Sequence, residues 1–318
     1  MLFFDEAAVR RLLPMGKAVE LLGSMFDDLA AGKAQNQPRR RLTTPSNTTL
    51  HSMAGAWGSY LGTKVYSTNP KHGAWFLFWL LDAETGKPLA LFEANTLGQL
   101  RTGAASGVAT ALLSRKDSAV VGIIGSGFQA RAQLEAMLAV RDVKTVRIWS
   151  RNRVKCDIFA AECAHLASIC VTKSPSEALF GADIVVTATS SKDPVFDAAD
   201  IGEGTHINVM GSNNAARREV SAETLLRCSR IVADSVEACR IEAGDLLLGL
   251  DEQGWARVED LAGAHARENA HEITLFKSVG LGLEDVAVAG YIYEQAKASG
   301  EAETLPMFQD IIRSSVRL

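Results

Sequence analysis

The amino-acid sequence lacks two features that would place the protein in a membrane or on nucleic acid. A membrane-spanning helix needs about 18 consecutive apolar residues, whereas the longest apolar candidate among the 318 residues, Ala74–Leu81, has the length of a strand. The net charge of −4 provides no basic surface for nucleic acid. The N-terminal residues Met-Leu-Phe-Phe-Asp-Glu have neither the basic segment nor the cleavage site of a signal peptide. We therefore expect a cytoplasmic protein with neither a membrane nor nucleic acid as a partner.

Cysteine is also scarce, and its spacing excludes two further classes of protein. The five cysteines are odd in number and include no Cys-x-x-Cys pair, whereas disulfide frameworks and zinc sites repeat cysteines at short fixed spacings. Cys156 and Cys163 lie seven residues apart on a predicted helix and are expected in the core. We therefore expect no disulfide framework and no bound metal.

The composition is that of a globular protein, and the chain is longer than a single domain usually is. Hydrophobic residues make up 47% and charged residues 22%, which is typical of folded soluble domains. Because 318 residues exceed the common size of a single domain, two domains are expected. The first begins with an amphipathic helix over residues 14–34. Short period-two patterns then predict strands over residues 41–44, 49–53, 63–67, 74–82 and 89–93.

From residue 119 onward, strands and helices alternate. The predicted strands are 119–124, 145–149, 168–172, 183–187, 206–210 and 230–233, and the helices between them include 129–140, 153–166 and 175–180. Such alternation is typical of a doubly wound parallel sheet, so the pattern predicts an α/β domain with six strands. A helix over 94–113 is expected to join the two domains, and a helix over 283–298 is expected to return to the first.

A glycine-rich turn at the start of this region predicts a dinucleotide site. Gly125-Ser126-Gly127 follows an apolar run and precedes a helix-forming stretch that contains Ala130. Gly125 permits the tight turn, Gly127 lets a pyrophosphate approach the backbone, and Ala130 keeps the helix close to the sheet. The strand predicted at 145–149 completes the βαβ unit that this motif requires.

The end of that second strand bears on the choice of cofactor. NAD-binding versions of the motif carry an acidic residue there for the ribose 2′-hydroxyl, whereas this chain reads Trp149-Ser150-Arg151-Asn152-Arg153. Arginine suits a 2′-phosphate, so NADPH is favoured and NADH is the alternative. The competing interpretation is that these arginines are solvated surface charge.

Two kinds of residue indicate where a nicotinamide and a substrate carboxylate bind. Small and polar residues follow the fourth and fifth predicted strands, at 187–191 and 209–213, where an open α/β sheet places its ligands. Such residues are also typical of tight turns. In addition, Lys64 lies in an apolar strand pattern and Arg101 in an Ala- and Gly-rich helix. Charges in such surroundings need partners, which are either a substrate carboxylate or internal ion pairs.

These motifs resemble the ornithine cyclodeaminase/mu-crystallin family along nearly the whole chain. The matching stretches are 37–40, 64–65, 100–106, 125–130, 181–189, 206–208, 274–280 and 283–285. The resemblance implies a doubly wound Rossmann domain inserted in an α+β substrate-binding and dimerisation domain, within a homodimer. The implied limits are residues 1–112 with 291–318 for the outer domain and 113–290 for the NAD(P)-binding domain.

The resemblance also implies individual site residues. Those that bind the substrate are Arg40, His51, Met53, Lys64 and Arg101, with Arg40, Lys64 and Arg101 on the carboxylate. The residues implied in catalysis are Lys64, Arg101 and Asn213. Those that bind the cofactor are Gly125, Ser126, Gly127, Phe128, Gln129, Ser150, Arg151, Asn152, Thr187, Ala188, Thr189, Met210, Gly211, Ser278 and Gly280. Because Arg39 and Arg41 adjoin Arg40, the sequence leaves open which of the three arginines faces the substrate.

Acidic residues separate the activities within the family. Cyclodeaminases carry an Asp after the fifth strand and a second acid two residues before an active-site Met, whereas this chain has Asn213 and His51 there. Asparagine cannot take a proton, and a protonated iminium needs no strong base. His51 is either a proton relay or a structural residue.

We therefore expect NAD(P)H-dependent reduction of a cyclic imino acid. The expected substrate is a ketimine, Δ1-pyrroline-2-carboxylate or Δ1-piperideine-2-carboxylate, and the product is proline or pipecolate. The alternatives are ornithine cyclodeamination, an alanine-dehydrogenase-like reaction and a low-turnover, crystallin-like binding protein.

Overall fold

The chain divides into two units in the computed structural model, which describes residues 1–300 and 302–307. The first unit consists of residues 1–14, 32–98 and the described residues from 281 onward. The second consists of residues 15–31 and 99–280. The chain thus leaves the first unit and later returns to it. The boundaries of these two units differ from the predicted domain boundaries. Residues 308–318 of the predicted outer domain lie outside the described residues. The functions expected of the two domains stay predictions.

A mixed seven-stranded sheet forms the frame of the first unit. Its strands are β1 (Leu2–Phe4), β2 (Ala34–Thr43), β3 (Thr49–Trp57), β4 (Tyr60–Asn69), β5 (Gly73–Asp82), β6 (Pro88–Glu93) and a short strand, Glu303–Thr304. Their spatial order is Glu303–Thr304, β1, β6, β5, β4, β3, β2. The pair β1 and β6 is parallel and the other neighbours are antiparallel. The strands β3 to β6 confirm the period-two patterns, whereas β2 begins at Ala34, before the predicted residue 41.

Two helices belong to the described part of this unit, α1 (Glu6–Leu12) and a C-terminal helix, Gly282–Ser299, which packs on one face of the sheet. The approach is close, since a Cβ atom on Gly55 of β3 would lie 2.6 Å from the Cα of Leu283. Only glycine leaves room for such contact between backbones. We name this the inner face, and it carries Met53 and Lys64. The opposite, outer face carries the exposed side chains Leu42, Leu50, Val65, Trp75 and Leu77.

An eight-stranded parallel sheet forms the second unit. Its strands are β7 (Val120–Ile124), β8 (Thr145–Trp149), β9 (Ile169–Val171), β10 (Ile184–Thr187), β11 (His206–Val209), β12 (Arg230–Ala233), β13 (Val258–Asp260) and β14 (Thr274–Lys277). Their spatial order is β9, β8, β7, β10, β11, β14, β12, β13, and all neighbours are parallel. The strand order reverses at β7 and β10, which is where open α/β sheets bind ligands. The predicted α/β class with a Rossmann-like sheet is confirmed.

The prediction of six parallel strands is wrong, because β13 and β14 were not expected. β13 has only three residues, and β14 ends in Lys277, a charged residue whose burial its own sequence does not indicate. Each helix predicted for this part of the chain is present, with ends that differ by a few residues. The observed helices are α2 (Met15–Ala30), α3 (Asn95–Leu113), α4 (Phe128–Val140), α5 (Arg153–Glu162), α6 (Pro175–Leu179), α7 (Ala222–Arg227), α8 (Val236–Glu242), α9 (Gly244–Leu247) and α10 (Glu252–Trp255). A short 3-10 turn lies at Ala198–Asp200.

Two further expectations concern the burial of the cysteines and the presence of membrane-spanning helices. Cys156 and Cys163 are buried, as predicted, whereas Cys170 is exposed. Within residues 1–300 and 302–307, no helix has the length and apolar content needed to cross a membrane.

Candidate functional site

The turn between β7 and α4 has the backbone that a pyrophosphate site requires. Gly125 has a φ of +111°, in a region that favours glycine, and a Cβ there would lie 2.4 Å from the carbonyl oxygen of Ala188. Gly127 is the N-cap of α4, and a Cβ on it would meet no described atom within 4 Å. The first N–H groups of this 13-residue helix therefore border an open space that suits an anion.

A cleft of about 380 Å³ opens at this turn. The predicted cofactor residues that line it are Gly125, Ser126, Gly127, Ser150, Arg151, Asn152, Ala188 and Thr189. Lys155, Pro194 and Val195 also line it, although the sequence pattern did not indicate them. The position of Lys155 in the first turn of α5, the helix that follows β8, is the signal that could have found it. The remaining predicted residues, whose cofactor contacts stay predictions, are Phe128, Gln129, Thr187, Met210, Gly211, Ser278 and Gly280.

The charges that line the cleft are those of Arg151 and Lys155, and its described lining contains no carboxylate. The Ser150 hydroxyl lies 2.9 Å from that of Ser126. Asn152 caps α5 by accepting a hydrogen bond from the Lys155 N–H at 3.1 Å. This arrangement holds both cations beside the end of β8. An open glycine turn, a helix N-terminus and two cations together fit a dinucleotide, and the cations suit one that carries an additional phosphate.

The loops after β10 and β11 lie at the carboxyl edge of the parallel sheet, as predicted. They contain Ala188–Thr189, directly after Thr187 at the end of β10, and Met210–Asn213. Within the described chain, no group of three or more His, Cys, Asp or Glu side chains is arranged to hold a metal ion.

Asp234, directly after β12, fixes the segment Ser278–Gly280 at the carboxyl edge of the parallel sheet. Its Oδ2 accepts hydrogen bonds from the Ser278 hydroxyl at 3.0 Å, the Val279 N–H at 2.7 Å and the Gly280 N–H at 2.6 Å. Gly280 has a φ of +84°, and a Cβ there would lie 2.4 Å from Nη1 of Arg101. Burial raises the pKa of Asp234, although these hydrogen bonds oppose the shift. The structure therefore brings Arg101 and the predicted residues Ser278 and Gly280 together.

Lys64, on the inner face of the mixed sheet, has an internal partner. Its Nζ lies 2.9 Å from Oδ1 of Asp285 on the C-terminal helix, and the two side chains are 3% and 0% exposed. A Cβ on Gly98 would lie 2.5 Å from the same Nζ. Of the two partners that the sequence allowed, the internal ion pair is present. The contact of Lys64 with a substrate carboxylate stays a prediction.

The register of β2 and β3 separates Arg39 from Arg40, whereas Arg41 pairs with His51 and is exposed. A bulge precedes Arg40, which pairs with Ser52 and is exposed on the outer face. Arg39 is 8% exposed, and its Nε donates to the Met53 sulfur at 3.3 Å. Arg39 therefore shares the inner face with Met53 and Lys64. The register favours Arg39 over the predicted Arg40 as a substrate ligand.

His51 also lies on the inner face, where its ring stacks on Tyr66 with a centroid distance of 4.2 Å. Its Nε2 lies 3.0 Å from the Thr68 hydroxyl. Burial, together with the nearby Arg41 and Arg39, lowers the pKa of His51 to about 4. The ring is therefore neutral near neutral pH, which favours a packing role over that of a proton relay.

The fold and the cleft define a dinucleotide-binding α/β protein. The sequence matches the model of the ornithine cyclodeaminase/mu-crystallin family over residues 2–300. The chain belongs to this family.

Three relatives show how far the likeness extends. A Δ1-pyrroline-2-carboxylate reductase of Bacillus cereus is 34% identical over 319 residues, which cover 94% of this chain and 98% of the relative. The structure of a Thermococcus litoralis Δ1-pyrroline-2-carboxylate reductase in complex with NADH and L-proline has a TM-score of 0.91 and 35% identity, with 96% of this chain and 100% of that chain covered. An archaeal alanine dehydrogenase dimer with bound NAD has a TM-score of 0.90 and 32% identity, with 97% and 99% covered.

Proposed function

We propose that this protein is a nicotinamide-dependent oxidoreductase that reduces a cyclic ketimine to a cyclic L-amino acid. The substrate is Δ1-pyrroline-2-carboxylate or Δ1-piperideine-2-carboxylate, and the product is proline or pipecolate. The observation that carries the proposal is the likeness to Δ1-pyrroline-2-carboxylate reductases over nearly the whole chain, at 34% and 35% identity. The cleft at the Gly125–Gly127 turn supports it independently, because its lining fits a dinucleotide.

Buried cations are the proposed ligands of the substrate carboxylate. Lys64, Arg39 and Arg101 are 2%, 8% and 7% exposed, and charge-assisted hydrogen bonds are strongest where water is excluded. A bound reduced nicotinamide supplies the hydride. The contribution of these residues is to hold the imine carbon in the orientation that accepts it.

Asn213 is the proposed partner of the ring nitrogen. It stands in the loop after β11 at the carboxyl edge of the sheet. Its side-chain oxygen accepts a hydrogen bond from the N–H of a protonated iminium, which is already electrophilic and needs no general base. A neutral side chain at this position favours reduction over the deamination of ornithine.

The proposed cofactor is NADPH, with NADH as the alternative. Arg151 and Lys155 line the cleft beside Ser150, and cations in this position bind a 2′-phosphate. The relatives described above hold NADH and NAD, so the preference of this chain rests on its own two cations.

A homodimer is proposed, with the outer face of the mixed sheet as its interface. Trp75 is 74% exposed, and Leu42, Leu50 and Leu77 are 67%, 46% and 44% exposed. Clustered apolar side chains on one face of a sheet are typical of surfaces that bind another protein. A second copy of this chain is the proposed occupant, in keeping with the dimer of the archaeal relative.

A second candidate function is reductive amination of a 2-oxo acid, or its reverse. The likeness to an archaeal alanine dehydrogenase, at 32% identity, favours it. The same cations bind the carboxylate in either reaction, so the reactions differ in whether free ammonium is consumed.

The deciding experiment follows the oxidation of NADPH and of NADH by the purified protein with each cyclic ketimine. Pyruvate with ammonium is the second arm, and ornithine without added cofactor is the third. Ketimine-dependent oxidation that needs no ammonium supports the proposal. Oxidation only with pyruvate and ammonium establishes the second candidate, and ammonia release from ornithine establishes cyclodeamination. Cofactor binding without turnover in every arm indicates a crystallin-like binding protein.

A further inference from the structure

A buried carboxylate that was not among the predicted site residues joins the loops after β10 and β11. Glu219 is 0% exposed. Its Oε1 accepts hydrogen bonds from the N–H and the hydroxyl of Thr189, both at 2.7 Å. Its Oε2 accepts from the Thr187 hydroxyl at 2.9 Å and from the Gly211 N–H at 2.7 Å. One side chain therefore fixes residues of both loops.

Two further buried charges hold Glu219 in place. Oδ1 of Asp245 accepts hydrogen bonds from the backbone N–H groups of Glu219 and Val220, the second at 3.2 Å. Oδ2 of Asp245 accepts from Nζ of Lys277 at 2.7 Å, and this ammonium also donates to the carbonyl oxygen of Ser212 at 2.8 Å. The end of β14 is thereby tied to the loop after β11.

The packing around this cluster leaves little room for rearrangement. A Cβ on Gly211 would lie 2.4 Å from Oε1 of Glu219 and 2.3 Å from the carbonyl oxygen of Thr189. Burial and Asp245 raise the pKa of Glu219, while Lys277 and the hydrogen bonds from Thr189 oppose the shift. Burial lowers the pKa of Lys277, but Asp245 and Glu219 together raise it above its usual range. Because water is excluded, each charge depends on the others, and the loss of one leaves a buried charge uncompensated.

We propose that Glu219 is a positioning residue for hydride transfer, an inference that rests on the proposed function. Glu219 is absent from the described lining of the cleft, whereas its partner Thr189 is part of it. Its other partner, Gly211, precedes Asn213 in the same loop. Glu219 thus fixes one loop that lines the cleft and another that carries Asn213, the proposed partner of the ring nitrogen. Small errors in the orientation of the reacting groups reduce turnover strongly.

The variant Glu219→Gln tests this role, because glutamine keeps the size of the side chain but turns an NH₂ group toward two of the four donors. We expect the affinity for NADPH alone to stay close to that of the wild type, since the Gly125–Gly127 turn is unchanged. We expect kcat with the cyclic ketimine to fall on the order of 100-fold. The deuterium isotope effect with 4-deuterated NADPH is expected to rise, and the fluorescence anisotropy of the bound nicotinamide to fall.

Asp183→Asn is the matched control. Asp183 also accepts two backbone N–H groups, those of Ala119 at 2.8 Å and Val120 at 2.9 Å, but it lies at the amino edge of the same sheet. We expect this variant to lower Tm and to leave kcat and the isotope effect unchanged. If Glu219→Gln does not fold, Thr187→Val removes one of the four hydrogen bonds and is expected to change kcat and the isotope effect in the same directions, by less.

Two results would overturn the inference. One is a Glu219→Gln protein whose kcat and isotope effect match those of Asp183→Asn. The other, in the fallback, is a Thr187→Val protein with wild-type values. If the wild type reduces no ketimine, the proposed function fails instead, and the anisotropy of bound NADPH alone then decides the inference, with a wild-type value in Glu219→Gln overturning it.

Discussion

Charged side chains in this protein are distinguished by the face of an element on which they lie. Arg39 and Arg40 are neighbours in sequence, yet the bulge in β2 places Arg39 on the inner face and Arg40 on the outer face. In the same way, Arg151 lines the dinucleotide cleft and Arg153, two residues later, does not. In each pair, the second arginine is therefore a control for the first, because the two have the same charge and nearly the same sequence neighbours but different positions in the structure.

The variants Arg39→Ala and Arg40→Ala test which arginine binds the substrate carboxylate. Arg39→Ala is expected to lower kcat/KM for the ketimine about 10- to 100-fold, because a hydrogen bond to a charged group contributes about 1.5–3 kcal/mol. Arg40→Ala is expected to leave kcat/KM close to the wild-type value. Steady-state kinetics with saturating NADPH measure both. The reverse order of effects would restore Arg40 as the ligand that the family resemblance implies.

The variant Arg151→Asp tests the choice of cofactor. We expect the ratio of kcat/KM with NADPH to that with NADH to fall about 10-fold or more, because a carboxylate repels the 2′-phosphate and accepts hydrogen bonds from a 2′-hydroxyl. Arg153→Asp is the control, since Arg153 forms a surface ion pair with Asp157, with an Nε–Oδ1 distance of 3.1 Å. An equal change of the ratio in both variants would mean that general surface charge, rather than the cleft, sets the preference.

Among the elements, those whose patterns are local could be predicted from the sequence. The helix expected at 94–113 is α3 (Asn95–Leu113), and the helix expected at 283–298 is the C-terminal helix, Gly282–Ser299. The glycine turn between β7 and α4 is local as well, and the φ of +111° at Gly125 confirms the tight turn that the sequence predicts there. In contrast, β14 is four buried residues that end in Lys277. The charge of Lys277 becomes acceptable only through Asp245, which lies 32 residues away in the chain.

The candidate site shows the same division. Ser150 and Arg151 follow directly from the end of a strand, whereas the partners Glu219, Asp234 and Asp285 are set by long-range packing. Spacing along the sequence carries no information about such contacts, because a carboxylate suits many partners equally well. The bulge before Arg40 changes which face of β2 each arginine lies on, and a period-two pattern in the sequence does not predict such a bulge.

The ion pair between Lys64 of β4 and Asp285 joins two elements, and Asp285→Asn measures what it contributes. This variant removes the carboxylate of a buried ion pair, so we expect the free energy of unfolding to fall by about 3–5 kcal/mol. Asp142→Asn is the control, because Asp142 pairs with Lys144 where the two side chains are 84% and 66% exposed; no measurable change is expected there. Urea unfolding of both variants gives the comparison, and similar losses in the two would contradict a special role for the buried pair.

At the scale of the whole molecule, the two faces of the mixed sheet have different surroundings. The C-terminal helix covers the inner face, whereas the outer face exposes a row of apolar side chains that includes Leu50, Val65 and Trp75. A monomer gains nothing from exposing such a row to water. The outer face therefore supports the proposed homodimer.

The variant Trp75→Lys tests this interface. A lysine charge within an apolar contact is costly to bury, so we expect the dimer to dissociate to monomers in analytical ultracentrifugation. Phe180→Lys is the control, because Phe180 is an aromatic residue that is 79% exposed and lies in the second unit. A wild type that sediments as a monomer, or a Trp75→Lys protein that dimerises as tightly as Phe180→Lys, would contradict the assignment.

The path of the chain through the first unit has a consequence for biosynthesis. Residues are made in order, so the inner face of the mixed sheet leaves the ribosome long before the helix that covers it, and Lys64 precedes its partner Asp285 by 221 residues. The second unit, whose segments end at residue 280, is complete before that helix is translated. Domains fold as they are synthesised, so the second unit is positioned to fold first. The inner face of the sheet meanwhile stays without its covering helix until residues 282–299 have been translated.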